Sequence, residues 1–189
     1  GILEEIRKGE MNKFDAYVLA CANDPGLYAA REFSEGPVIG IAEASMHMAS
    51  LVAAKFSIVT LFPRDRLIIE ELLHRYGMED KCVSIRTCNL AVLDFEDNPE
   101  KGLEQLAIES RNAVENDGAE AICLGCAGMS KFADELENEL KVPVFDGVAE
   151  AVKLAEALVE LGKKTSKVLY FKDPNKKEYK GIYKKFQPN

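Results

Sequence analysis

No run of apolar residues approaches the roughly 20 needed to cross a bilayer, and no basic-then-apolar leader precedes the first helical pattern, "ILEEIRKGEMNK". A membrane partner is therefore not expected, and the cytoplasm is the predicted location. Positive charge is in deficit: 24 Lys and Arg stand against 32 Asp and Glu, for a formal net charge of -8. That balance gives no electrostatic footprint for a phosphate backbone, so nucleic acid is not an expected partner. Histidine is scarce, with only His47 and His74, so a Cys-His hydrolase would have to recruit one of these two. An even set of cysteines is also lacking. The five present, Cys21, Cys82, Cys88, Cys123 and Cys126, belong to a chain of 189 residues, 47% hydrophobic, that can bury a core without covalent staples. Free thiols in a reducing compartment follow. Low-complexity segments are absent as well.

What is present is an alternation of short β-branched runs with longer stretches of helical period, the pattern of βα units and a mostly parallel sheet. Strands are predicted near Ala16–Ala20, Val38–Ile41, Phe56–Leu61, Cys82–Arg86, Ala121–Leu124 and Val142–Phe145. Helices are predicted near Pro25–Phe33, Ala42–Lys55, Arg64–Tyr76, Glu100–Asn116, Met129–Leu140 and Val148–Leu161. Asp97-Asn98-Pro99 reads as a helix start and Asp117-Gly118 as a stop. From Thr165 onward, lysines interleave with Tyr170, Phe171, Tyr179, Tyr183 and Phe186. This tail is expected to be a solvated strand or arm docking its aromatics on the domain, in preference to a partner-binding arm. The helical start at Gly1, with no strand before it, suggests a preceding strand outside this sequence.

An internal echo is the most informative feature. "YVLACANDPGLYAAREFSEGPVIGIAEA" and "AICLGCAGMSKFADELENELKVPVFDGVAEA" share one order: buried strand, Cys, helix, Pro-Val, Gly, Ala-Glu-Ala. Cys21 stands 16 positions before Pro37, and Cys126 stands 17 before Pro143. Two copies of one βα unit are expected to pack about a pseudo-twofold axis, their C-terminal strand ends facing a shared cleft, the edge where open α/β sheets bind ligands. The fold class expected is thus α/β, with two pseudo-symmetric lobes of mostly parallel sheet. Residues 1–50 would form the first part of the N-terminal lobe, 51–145 the second lobe, and 146–189 the return to the first lobe plus the arm.

Both echoed cysteines stand where a strand gives way to a helix, and unsatisfied N–H groups at a helix start favour a thiolate. In the first copy Asp24 is expected to cap the following helix, with Pro25 at its first position. In the second, Gly125 and Gly128 flank Cys126 and leave backbone N–H groups open to a ligand. Cys82, Cys88 and Cys123 are assigned to packing. Cys123 and Cys126 form a C-x-x-C, but Cys123 falls within a strand and no second pair completes a zinc set. No metal is expected. His47 reads as a satisfied core histidine and His74 as a surface cation at a helix end. Glu43 and Glu150 read as helix-start charges that could also close the cleft or orient a thiol, and Thr60 reads either as a substrate contact at the correct edge of its strand or as a plain strand-end threonine.

"ACANDPGL", "PVIGIAEA", "HMASLVAAKFSIVT", "VSIRTCNLAVLDFE" and "LGCAGM" together resemble the hydantoin and allantoin racemase branch of the aspartate/glutamate racemase superfamily, from Gly1 to about Leu161. The resemblance implies two α/β lobes with the site between them. It also implies cofactor-independent inversion of a carbon acid by two cysteines, Cys21 and Cys126 here, and assembly as a homo-oligomer. Relatives usually begin with a strand bearing Asn-Pro-Asn-Thr, which this sequence does not contain. The substrate expected is a small cyclic ureide, a 5-substituted hydantoin or allantoin. One thiolate would remove a proton and one thiol return one on the opposite face, while the N–H groups of Ala22, Asn23, Ala127 and Gly128 hold the developing oxyanion. The alternatives are a single-cysteine decarboxylase, isomerase or amidase, and a non-catalytic ligand-binding α/β module.

Overall fold

Two parallel sheets carry the chain. In the computed structural model, which describes residues 1–173 and 178–186, β1 (Tyr17–Leu19) pairs with β2 (Val38–Gly40). The other four strands run in the order β4–β3–β5–β6: β3 (Phe56–Thr60), β4 (Cys82–Thr87), β5 (Ala121–Leu124) and β6 (Val144–Phe145). Every pairing is parallel, so the α/β class with parallel sheets holds. The central strands β3 and β5 are buried at every position because helices cover both faces; β5 is apolar throughout, and β3 buries Ser57 and Thr60 among its apolar residues, with the Ser57 hydroxyl donating to the Ser84 carbonyl at 2.8 Å. Strand β6 is two residues long instead of four. Pro143 offers no N–H and only its carbonyl joins the ladder, accepting from Ile122.

The helices are α1 (Ile2–Met11), α2 (Leu27–Phe33), α3 (Ile41–Val52), α4 (Asp65–Tyr76), the short α5 (Asp94–Asp97), α6 (Pro99–Asp117), α7 (Ala133–Leu140) and α8 (Val148–Glu160). The start read at Asn98-Pro99 is present: the Asn98 side chain accepts from the Lys101 N–H at 3.2 Å. The stop at Gly118 is present too, with φ +79°. Two expectations are corrected. Helix α2 begins at Leu27, because Asp24 (φ +41°) and Gly26 (φ +70°) hold left-handed backbone that no helix continues through. The predicted helix Met129–Leu140 divides into a 3-10 segment, Ala127–Phe132, and α7.

One face of the four-stranded sheet buries Leu106 and Leu136 against Val59, Ile122 and Leu124. The opposite face buries Met46, Ile69 and Leu72 against Phe56 and Ile58. Each such side chain contributes about 1.5–3 kcal/mol by leaving water. Helix α3 packs on α8, and both reach the first sheet, where Ile39 and Ala22 meet Ile41, Ala44, Ala151 and Ala155. The two helices that close the echoed units therefore lie against each other.

Beyond α8 the chain runs back along α2. Thr165 donates to the Gly36 carbonyl at 2.8 Å, Lys167 donates to the carbonyls of Arg31 and Glu32 at the end of α2, and the Phe171 ring lies 5.7 Å from that of Tyr28. The arm forms no strand among its described residues, and it docks Phe171 while Tyr170 and Tyr183 stay exposed. Its residues 174–177 and 187–189 and the side chain of Phe186 lie outside the described residues.

Candidate active site

Strand β1 ends in a turn that presents Cys21. The Cys21 N–H donates to the Leu19 carbonyl and the Asp24 N–H to the Cys21 carbonyl, both at 2.9 Å. The N–H groups of Ala22 and Asn23, between these two bonds, have no partner among the described residues. Cys21 is exposed, Ala22 buried and Asn23 half-buried.

Asp24 does not cap α2. Its carboxylate is 1% exposed and turns to the start of α3, accepting from the N–H groups of Ala42 at 3.2 Å and Glu43 at 2.9 Å. The Tyr76 hydroxyl, at the end of α4, donates to it at 2.7 Å. Burial pushes the carboxyl above its usual range, and the Tyr76 hydroxyl and the two N–H groups pull it back. Gly40 makes this approach possible, because a Cβ there would meet the Asp24 carboxylate carbon at 2.3 Å. One buried carboxylate thus ties the Cys21 turn to α3 and α4.

The second thiol follows β5. Gly125 still donates to the Val59 carbonyl at 2.8 Å. Cys126 is then extended (φ -159°) and precedes the 3-10 segment, whose Met129 N–H returns to the Cys126 carbonyl at 3.0 Å. Thr60 lies at the C-terminal end of β3, as expected, but is 2% exposed. Its hydroxyl points to the Gly125 carbonyl at 3.4 Å, so it supports the Cys126 loop. Burial pushes the Cys126 thiol up; an N–H bond from Gly128 pulls it down, and charges on Cys21 and Asp65 push it up again. The Gly128 N–H, expected to face substrate, is therefore aimed at the sulfur. Ala127 is half-buried and its side chain packs in the inter-sheet cluster.

Three observations bring the two junctions together. Ala22 and Ala127, each next in sequence to a cysteine, pack in one cluster with Ile41 and Ala151. Ala22 and Gly125 line one small cavity with Ala42, Ser45 and Met46. A charge on Cys21 is felt at Cys126. The start of α4 and the β4–α5 loop complete the surroundings: Asp65 acts on the same sulfur, and Val92 reaches Gly128. All of these lie beyond the C-terminal ends of strands, the edge at which parallel sheets present ligand sites.

The remaining thiols serve packing. Cys123 is fully buried on the opposite face of β5 from Cys126, Cys88 is buried and pushed up to about 12, and Cys82, pushed up to about 11, donates to the Ser84 carbonyl at 3.3 Å. Burial is the leading cause in each. His47 is a correction: it is exposed on α3, its Nδ1 2.7 Å from the Glu43 carbonyl oxygen. His74 is the expected surface residue, paired with Glu79 at 2.8 Å. Glu43 pairs with Arg31 at 2.5 Å, and Glu150 accepts from the Gly147 N–H at the start of its own helix. Neither carboxylate orients a thiol.

Two parallel sheets, each with a cysteine just beyond a strand end, define an α/β protein with a paired-thiol edge. The Asp/Glu/Hydantoin racemase family profile matches residues 1–155. The chain is 55% identical to a hydantoin racemase of Pseudomonas sp. (strain NS671) over 189 residues, all of this chain and 76% of that one. An allantoin racemase from Klebsiella pneumoniae superposes with a TM-score of 0.97 at 47% identity, covering 100% of this chain and 77% of that one. The allantoin racemase of Pseudomonas fluorescens superposes at 0.86 with 36% identity over 89% and 72%. The chain belongs to the Asp/Glu/Hydantoin racemase family.

Proposed function

We propose that this racemase inverts the carbon-acid centre of a cyclic ureide by proton transfer between Cys21 and Cys126. The single observation that carries the reading is the convergence of the two echoed strand ends, whose neighbouring alanines, Ala22 and Ala127, share one packed cluster. In one direction the Cys21 thiolate takes the proton from the ring carbon beside the carbonyl. The C–H electron pair moves into the carbon–carbon bond, and the carbonyl π pair moves onto oxygen. The Cys126 thiol then gives its proton to the other face as the carbonyl re-forms, leaving Cys21 as thiol and Cys126 as thiolate, ready for the opposite enantiomer. Burial and the influence of Cys21 both hold the Cys126 proton on, which suits it to start as the acid. A negative charge on Cys21 disfavours one on Cys126.

The N–H groups of Ala22, Asn23 and Ala127 are the donors assigned to the developing oxyanion, each worth about 3 kcal/mol in comparable sites. Gly128 lowers the cost of the Cys126 thiolate, and Thr60 acts as a positioning residue through Gly125. The step balances with no cofactor. Single Cys21→Ser and Cys126→Ser variants test the assignment with enantiopure 5-substituted hydantoins and allantoin. Either change should abolish inversion while the thermal transition is retained. Inversion that survives in one variant would leave the two-thiol reading without support.

A further inference from the structure

We infer that Val92, acting across Gly128, forms the wall that receives the 5-substituent of the substrate, and that this wall selects apolar substituents over a ureido group; the inference rests on the racemase reading above. A Cβ placed on Gly128 would have two neighbours within 4 Å, Val92 Cγ1 at 3.4 Å and Cys126 Sγ at 3.7 Å. The missing side chain of Gly128 therefore leaves a gap with the Cys126 sulfur on one side and an isopropyl group on the other.

Val92 is 45% exposed, yet the loop that carries it is firmly held. Leu90 and Phe95 on either side are buried in the same cluster as Met129 and Phe132. The Ala91 N–H donates to the Asp94 side chain at 2.7 Å, and Lys131 donates to the Phe95 carbonyl at 2.8 Å. An apolar side chain is thus presented to solvent by an anchored segment, next to a sulfur assigned to the chemistry. In a planar enolate the ring and its substituent share the plane between the two sulfurs, so both enantiomers send the substituent toward the same edge. Beyond Gly128 the Val92 isopropyl group presents a hydrocarbon surface that a polar ureido group cannot satisfy.

The test compares 5-isobutylhydantoin, 5-methylhydantoin and allantoin by kcat/KM with the wild-type chain and the Val92→Ala, Val92→Asn and Gly128→Ala variants. The wild type is expected to favour the isobutyl substrate. Val92→Ala should lower kcat/KM for it by about tenfold or more, with a smaller effect on the methyl compound, and Val92→Asn should shift the ratio toward allantoin. Gly128→Ala, whose new methyl fits at ordinary contact distance, should penalise isobutyl more than methyl by filling the gap. A wild type that favours allantoin, or variants that change all three substrates by one common factor, would overturn the inference while leaving the racemase reading in place. A wild type that turns over none of the three would overturn both.

Discussion

Asp24 shows how a residue can be recognised for its chemistry and assigned to the wrong helix. The motif "NDPG" reads as a cap followed by a helix, yet the left-handed backbone at Asp24 and Gly26 turns the carboxylate away from α2 and into the start of α3. The signal was in the echo. In the second copy Asp146 precedes Gly147 and caps α8 itself, accepting from Val148 and Ala149, whereas Ile39 occupies the matching place before Gly40. The first copy thus lacks a local carboxylate, and Asp24 supplies one from across the turn. An Asp24→Asn variant must set its amide NH2 against at least one backbone N–H. It is expected to lose about 1–3 kcal/mol of stability, and Tyr76→Phe less, with a double-mutant cycle giving coupling between them. Additive losses, or an Asp24→Asn variant as stable as the parent, would contradict this role. Thr60 and Gly128 are expected from the sequence to touch substrate, but their partners were not readable: whether a hydroxyl or an N–H faces substrate or its own loop depends on how β3 packs against the Cys126 loop and on the path of the 3-10 segment.

At the scale of elements, strand identity was readable because β5 is a continuous apolar run and β3 is rich in apolar and β-branched residues, and the ends of α6 because Asn98, Pro99 and Gly118 act through local backbone geometry. The short α5, the 3-10 segment and the true start of α2 were not readable. The first two go with the buried contacts of Phe95 and Met129, which no local propensity encodes, and the third with the left-handed backbone at Asp24 and Gly26. The meeting of α3 and α8 places two demands on glycine. Gly147 adopts φ +84°, and a Cβ there would lie 2.7 Å from the Ile41 carbonyl oxygen. Gly147→Ala is therefore expected to cost at least about 1–3 kcal/mol from backbone strain alone, read as a lowered Tm, and to move the Cys126 side relative to the Cys21 turn. Gly125→Ala would bring a methyl to 2.7 Å from Thr60 Cβ and 3.0 Å from its Cα. It should reduce kcat more than it reduces stability, because it displaces the loop carrying the second sulfur. Parent-like kcat in Gly125→Ala would show that the loop position is immaterial.

For the molecule as a whole, the parallel sheets were readable from the alternation of strand and helix patterns, and the family relationship agrees with that fold; the duplicated unit and the pairing of the thiols are readings from spacing. The closeness of two junctions 105 residues apart was an expectation from symmetry that the cluster around Ala22 and Ala127 realises. The pH profile belongs to this scale, since the acid is set by its surroundings. Burial raises the Cys126 thiol, so it keeps its proton to higher pH than an ordinary cysteine with pKa about 8.5. The alkaline limb of kcat/KM, in the direction that uses Cys126 as acid, should therefore fall above that value; a limb at or below it would contradict the assignment. Two-sided proton transfer is tested most directly by inverting a single enantiomer of a 5-substituted hydantoin in heavy water and stopping at low conversion. Two facing thiols predict deuterium in the inverted product and none in the recovered starting enantiomer, whereas deuterium entering the starting enantiomer as fast as the product would mean that one base serves both faces.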